Sequence, residues 1–229
     1  MKPVLLREVG LSRKAVQSAV TRDAILTSCL HLFAKHGFVS TSVDMIASAA
    51  GITKGAVYWH FDSKDALFEA ILDLIRTRWQ AAVLQPVSGT APAADRLRQL
   101  FAGYSRLFGE EPEICCFLQC VLLERDDDYS PRIARVFKQT ARVIAGIVDE
   151  GKARGELRSD VDSVTVSHAI LASIVGATQQ HLVNPALTLD ALLSEATAMT
   201  LARLSSRPVS APRRAAPARS RSARPLRTV

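Results

Sequence analysis

Apolar residues return at steps of three and four along nearly the whole chain, and the strict alternation of a half-buried strand is absent. Ile25, Cys29, Leu32 and Phe33 make one stripe; Leu67, Ile71, Leu74, Ile75 and Trp79 make a second. Leu97, Leu100, Phe101, Tyr104, Leu107 and Phe108 make the most regular one, followed by Ile114, Phe117, Leu118, Val121 and Leu122. Ile133, Val136, Phe137, Val143, Ile144 and Ile147 complete the series. The pattern predicts an all-α fold of about nine helices, over 21–36, 43–50, 54–60, 64–84, 93–109, 113–125, 131–154, 161–183 and 188–204.

Boundary residues support these spans. Thr41-x-x-Asp44 reads as an N-cap with an acid in the first turn, and Ser63 can cap the helix after it. Ser130-Pro131 puts proline at the first helical position, where its missing N–H costs nothing. Gly155 and Asn184-Pro185 read as helix ends.

One stretch has a different character. In "VDMIASAAGITKGAVYWHF" (43–61), Val43, Ile46, Ala47 and Ala50 form the inner face of a short helix, and Val57 and Phe61 that of a second. Small Ala47 permits close approach, and Gly51 supplies a turn that often needs a positive φ. An alanine, a glycine four residues on and an aliphatic six beyond that match a helix-turn-helix, whose second helix enters the major groove N-terminus first. With Val57 inward, Thr53, Lys54, Gly55 and Tyr58 are left to the outside or the leading end. Lys54 can reach a guanine edge or a phosphate, and Gly55 lets backbone approach the bases. Thr41, Ser42, Tyr58, His60 and Lys64 are candidate phosphate contacts. Trp59 and Phe61 are expected to pack, because a seven-residue helix needs anchors.

Charge then changes the picture. The 229 residues carry 29 Lys and Arg against 22 Asp and Glu, a net +7. Seven arginines and no acid lie in 205–229, so the rest of the chain is balanced. Within it, residues 1–64 hold eight basic and four acidic side chains, and 65–204 are mildly acidic. The domain organisation expected is a basic arm (1–20), a DNA-binding domain (21–64), a helical C-terminal domain (65–204) and a disordered Arg/Pro/Ala/Ser-rich tail (205–229). The tail can add sequence-independent attraction to phosphates. The N-terminus lacks the apolar region of a signal peptide, and no run reaches membrane-spanning length; a cytoplasmic protein with no membrane partner is expected.

On "ILTSCLHLFAKHGFVSTSVDMIASAAGITKGAVYWHFDSKDALFEAIL" the chain resembles the DNA-binding domain of the tetracycline-repressor (TetR) family, and its "YWHF" resembles the multidrug-efflux regulators within it. The resemblance covers about a quarter of the chain. It implies a homodimeric, ligand-responsive repressor that a small-molecule effector releases from a palindromic operator. The last two helices would form the dimer interface, and the stripe Ala169, Ala172, Ser173, Gly176, Ala177 and Gln180 is small enough to seat a partner helix. The effector would sit in the C-terminal domain, with Trp79, Phe101, Tyr104, Phe108, Phe117 and His168 as candidate wall residues.

The alternative is a thiol or metal-thiolate sensor on Cys115, Cys116 and Cys120, since Cys116 and Cys120 share a helix face. The four cysteines have no even spacing, so no disulfide framework is expected. "ERDDDY" (124–129) reads as a solvated loop rather than a metal site. No phosphate loop, H-E-x-x-H or nucleophile elbow is present, so no enzyme, no cofactor and no resident metal are expected.

Overall fold

Side chains that accept from the first free backbone amides set most helix starts in the computed structural model of this chain, which describes residues 12–123 and 130–206. Ser12 caps α1 (Arg13–His36), Ser42 caps α2 (Val43–Ala49), Thr53 caps α3 (Lys54–His60) and Ser63 caps α4 (Lys64–Trp79). Helix α4 runs into a π-helical turn, Gln80–Leu84. Then come α5 (Ala93–Glu110), α6 (Pro112–Leu123), α7 (Ser130–Ala153), α8 (Ser163–Val183, capped by Asp162) and α9 (Leu189–Leu204, capped by Thr188). Among the described residues, pairing of the strand type is limited to one bridge between Leu157 and Ser205.

The all-helical expectation holds, with three local differences. Helix α1 begins at Arg13, so much of the expected arm continues the first helix. The cap of α2 is Ser42, whose Oγ accepts from Met45 N at 3.2 Å. Thr41 instead donates its hydroxyl back to Gly37 O at 2.8 Å. The expected 64–84 helix changes its hydrogen-bonding register at its end, where Gln85 N reaches Gln80 O at 2.7 Å. The first eleven residues, the 124–129 segment and the tail from 207 onward lie outside the described residues.

Two apolar cores share α4 and α6. The head core joins Ile25 and Phe33 of α1, Ile46 and Ala47 of α2, Val57 of α3, and Leu67, Phe68, Ile71 and Ile75 of α4. The body core begins at Trp79 and gathers Leu97, Leu100 and Tyr104 of α5, Ile144 and Ile147 of α7, Ile170 and Ile174 of α8, and Leu193 of α9. Helix α4 thus passes from one core to the other between Ile75 and Trp79. Helix α6 sends Ile114, Phe117 and Leu118 into the head and Cys115 into the body. Each such side chain, fully buried, contributes about 1.5–3 kcal/mol. Beyond the body core, buried Arg96 is paired rather than stranded: it donates Nε to Val87 O at 2.8 Å and a guanidinium N–H to Glu150 at 2.5 Å.

Candidate nucleic-acid interface

The turn between α2 and α3 is where the sequence placed it. Gly51 has φ +68°, the left-handed region that favours glycine, and Ile52 N donates to Ala47 O at 3.0 Å across it. Ala47 and Val57 are buried in the same core. Thr53 Oγ1 accepts from Ala56 N at 3.2 Å, fixing the leading end of α3. Arg22 of α1 holds the other end: it donates to His60 O at 3.3 Å and lies over the Phe61 ring at 4.2 Å.

These anchors leave one face of α3 outward. Thr53, Lys54, Gly55 and Tyr58 are exposed there, as expected. Trp59 is exposed too, at 70%, against the expectation that it would pack. On a helix of 100° per residue it lies about 200° from both Val57 and Phe61, which are buried, so it must face away from them. Its ring stands edge-on to His60 at 4.6 Å. Trp59 is therefore the outward aromatic that the sequence reading left out, and helical period alone was enough to find it.

Gly55 carries a further signal. A Cβ built there meets nothing closer than Thr53 Oγ1 at 4.0 Å. Packing among the described residues does not require a glycine there, yet glycine in a helix costs roughly 1 kcal/mol relative to alanine.

Lys54 is exposed but engaged: its Nζ lies 2.8 Å from Asp44 Oδ2 of α2, and that hydrogen bond first, then the Asp44 charge, raises its pKa. The pair presets the lysine at the front of α3, and its exposure makes it weak enough to open. His60 is half-buried, and burial first, then the Arg22 charge, lowers its pKa, so the ring is neutral at pH 7. Ser42 is exposed at the start of α2.

Two candidates face elsewhere. Thr41 is 1% exposed and its hydroxyl is committed to Gly37 O, so its side chain closes the α1–α2 loop instead of meeting phosphate. Lys64 is half-buried; it donates to Val39 O at 3.2 Å and lies over the Phe38 ring at 4.2 Å. The cap expected at Thr41 falls one residue on, at Ser42.

The expected effector wall divides. Trp79, Phe101 and Tyr104 are buried in the body core and Phe108 packs against it. Phe101 also lines a groove of about 870 Å³ between α5 and α9, with Arg98, Ser105, Asp190 and Thr197. Phe117 belongs to the head core, with its ring 6.2 Å from that of Phe33 and 5.8 Å from that of Phe68. His168 is exposed on α8, one residue past buried Ser167, so it lines no interior wall.

On the expected dimer stripe, Ala169, Ala172, Gly176 and Gln180 are exposed and Ser173 half-buried, while Ala177 is buried within its own subunit. Val164, Val183 and Met199, all more than half exposed, belong to the same two C-terminal helices.

The cysteines do not form a reactive set. Burial pushes the Cys115 thiol up to about 12, and it raises Cys116 as well, with the Cys120 charge adding to it. Cys120 donates its S–H to Ala34 O at 3.2 Å. Neutral thiols are poor nucleophiles and poor metal ligands. Among the described residues no group of three His, Cys, Asp or Glu side chains could hold a metal ion, and no helix is long and apolar enough to cross a membrane.

Comparison with known proteins places this geometry. Residues 25–71 match the family model described as bacterial regulatory proteins, tetR family, and residues 93–204 match one described as tetracyclin repressor-like, C-terminal domain. The chain is 27% identical over 172 residues to the HTH-type transcriptional repressor BepR of Brucella suis, covering 72% of this chain and 82% of that one. Over 65 residues it is 49% identical to the HTH-type transcriptional regulator AcrR of Shigella flexneri, 28% of this chain and 30% of that one. The fold resembles that of a TetR transcriptional regulator from Chloroflexus aurantiacus, with a TM-score of 0.72 at 23% identity over 82% of this chain and 98% of that one. It also resembles SmeT, the repressor of a Stenotrophomonas maltophilia multidrug efflux pump, with a TM-score of 0.65 at 22% identity over 80% and 90%. The capped helix-turn-helix at one end, the helical body at the other and the two family models that match them agree: the chain belongs to the TetR family of DNA-binding transcriptional regulators.

Proposed function

We propose that the protein is a homodimeric repressor, acting in the cytoplasm, that holds a roughly palindromic operator through Ser42, Thr53, Lys54, Gly55, Tyr58, Trp59 and His60 of each head. A small molecule bound in the body releases it. The observation that carries the reading is the outward face of α3, where exposed Tyr58 and Trp59 and an unpacked Gly55 stand on a helix fixed from behind by Val57, Phe61 and Arg22. Lys54 reads a base edge or a phosphate, leaving Asp44 as it does so, and the remaining hydroxyl and ring groups hold phosphates.

Helices α8 and α9 of two protomers pack as a four-helix interface over Ala169, Ala172, Gly176, Val183 and Met199. That surface is apolar and small-featured, which supports close helix packing. Two-fold symmetry then sets the separation of the α3 helices, which must match the helical repeat of DNA. An effector acts by its differential affinity for the DNA-compatible and DNA-incompatible arrangements. Efflux or detoxification genes are the targets that the likeness to SmeT and the "YWHF" segment favour. The test is selection of genomic fragments on the purified protein, followed by titration of the enriched sequence against Lys54→Ala and Tyr58→Phe. Enrichment of an inverted repeat that both substitutions bind more weakly supports the reading, and enrichment of nothing beyond non-specific fragments overturns it.

A further inference from the structure

Asp44 and Lys54 are the only Asp, Glu, Lys or Arg between Thr41 and Phe61, the stretch that forms α2, the turn and α3. They stand at the leading ends of the two helices: Asp44 is two residues past the Ser42 cap, and Lys54 directly follows the Thr53 cap. Gly51, at φ +68°, turns the chain between them, and Lys54 Nζ comes to lie 2.8 Å from Asp44 Oδ2. Both side chains are more than half exposed, at 51% for Lys54 and 65% for Asp44. The reading end of the head thus presents a cation and an anion side by side. Ser42 Oγ and Thr53 Oγ1 already accept cap bonds from Met45 N and Ala56 N, so Asp44 is the strong acceptor at this end.

That arrangement is poor for phosphate. Sequence-independent attraction comes from net positive charge meeting the DNA backbone, and here the acid cancels the lysine. Opening the pair onto a phosphate would also strand the Asp44 carboxylate beside a polyanion. The arrangement suits a base pair. In the major groove a G·C pair shows two acceptors, guanine N7 and O6, next to one donor, the cytosine N4 amino group. O6 and N4 are hydrogen-bonded to each other, so they lie about 2.9 Å apart. The lysine ammonium and the aspartate oxygen are spaced to match, at 2.8 Å. When the pair opens onto this edge, one exposed ion pair is exchanged for two base contacts and neither charge is left unmet. An A·T pair in the same orientation turns the thymine O4 acceptor and methyl group toward the carboxylate, which repels it.

We propose that Asp44 is a base-reading residue that, with Lys54, specifies one G·C pair in each half-site, Lys54 donating to the guanine and Asp44 accepting from the cytosine N4 amino group. This rests on the reading of the head as the operator-binding surface. It adds an acidic specificity residue and the base pair it selects.

The test uses the operator enriched by the wild-type protein, with N4-methylcytosine placed at one cytosine of each half-site at a time. The methyl group keeps Watson–Crick pairing and covers the N4 hydrogen that faces the major groove. Gel-shift titration is expected to show one symmetry-related position at which wild-type binding weakens roughly tenfold, the effect of losing a hydrogen bond to a charged group. Asp44→Ala is expected to lose that penalty and the preference for G·C at the position, while still being weakened by 7-deazaguanine at the paired guanine. Lys54→Ala is expected to lose the guanine penalty instead. The modified operators probe the wild-type protein directly, so the outcome does not hang on the folding of a variant. Absence of any sensitive cytosine with wild type, or a sensitivity that Asp44→Ala leaves unchanged, overturns the proposal. Uniformly tighter binding of all DNA by Asp44→Ala, with base preference unchanged, also overturns it, since Asp44 then only restrains Lys54. Those results leave operator binding intact, whereas enrichment of no sequence by the wild-type protein counts against the operator reading itself.

Discussion

Phe117→Ala distinguishes a core side chain from a ligand wall at the junction of head and body. Phe117 is fully buried, and its ring lies 6.2 Å from that of Phe33 and 5.8 Å from that of Phe68, so this face of α6 packs into the head. Truncating such a side chain removes its transfer energy and leaves a cavity, for a cost of about 3–5 kcal/mol. The aromatic pairs are part of that figure and are not added to it. A chain of this length loses about 2–4 °C of melting temperature per kcal/mol, so the midpoint should fall by roughly 6–20 °C. The assay is thermal and urea unfolding followed by circular dichroism. It is run at one fixed protein concentration, because the midpoint of a dimer depends on it. Phe117→Leu, which nearly keeps the volume, should cost less than about 1.5 kcal/mol. A loss below about 1 kcal/mol for the alanine variant, with an altered response to effector, would refute the packing argument and return Phe117 to the ligand wall.

Thr53→Ala removes the cap of α3 and should cost about 1 kcal/mol of stability, while weakening operator binding as the leading end of α3 frays; urea melts and gel-shift titration measure the two effects. Lys54→Ala should weaken specific binding by about 1–3 kcal/mol if Lys54 reads a base; an unchanged affinity and footprint would remove it from the reading set. Gly103→Ala forces a backbone shift against Ala82 O and should destabilise by about 1–3 kcal/mol, whereas Gly55→Ala should leave stability equal or higher and lower operator affinity. Cys115 has a folded pKa raised from 9.0 to about 12, so its contribution is fully present below pH 9 and is lost as pH rises toward 12. Wild type should therefore lose more stability between pH 9 and 11 than Cys115→Ala does, in unfolding titrations run side by side.

Local chemistry decided how much of this could be read in advance. Gly51, Ser63 and Gly155 mark their turns and caps by side-chain type, and all three act where the sequence placed them. The basic arm was open to a reading as a lengthened first helix, and α1 does begin at Arg13, behind the Ser12 cap. The π turn at Gln80–Leu84 has no signature in "QAAVL"; it arises from how α4 meets Gly103, a tertiary fact. Phe117 failed as a wall residue for a related reason. Periodicity tells which side of a helix is buried, and it does not tell which of two cores receives that side. Lys64 and Thr41 show the same limit for polar groups: both have the right chemistry for phosphate, and both are turned toward backbone carbonyls of the head. Trp59 is the opposite case, since its exposure follows from the positions of Val57 and Phe61 alone.

The central claim is that α3 of each protomer reads one half of a symmetric site. Hydroxyl-radical footprinting of the enriched operator, with wild type and with Lys54→Ala, tests it most directly. The account predicts two protected half-sites related by two-fold symmetry, with protection lost or shifted at the same positions in both halves in the variant. A single continuous or sequence-independent protection pattern that Lys54→Ala leaves unchanged would contradict it.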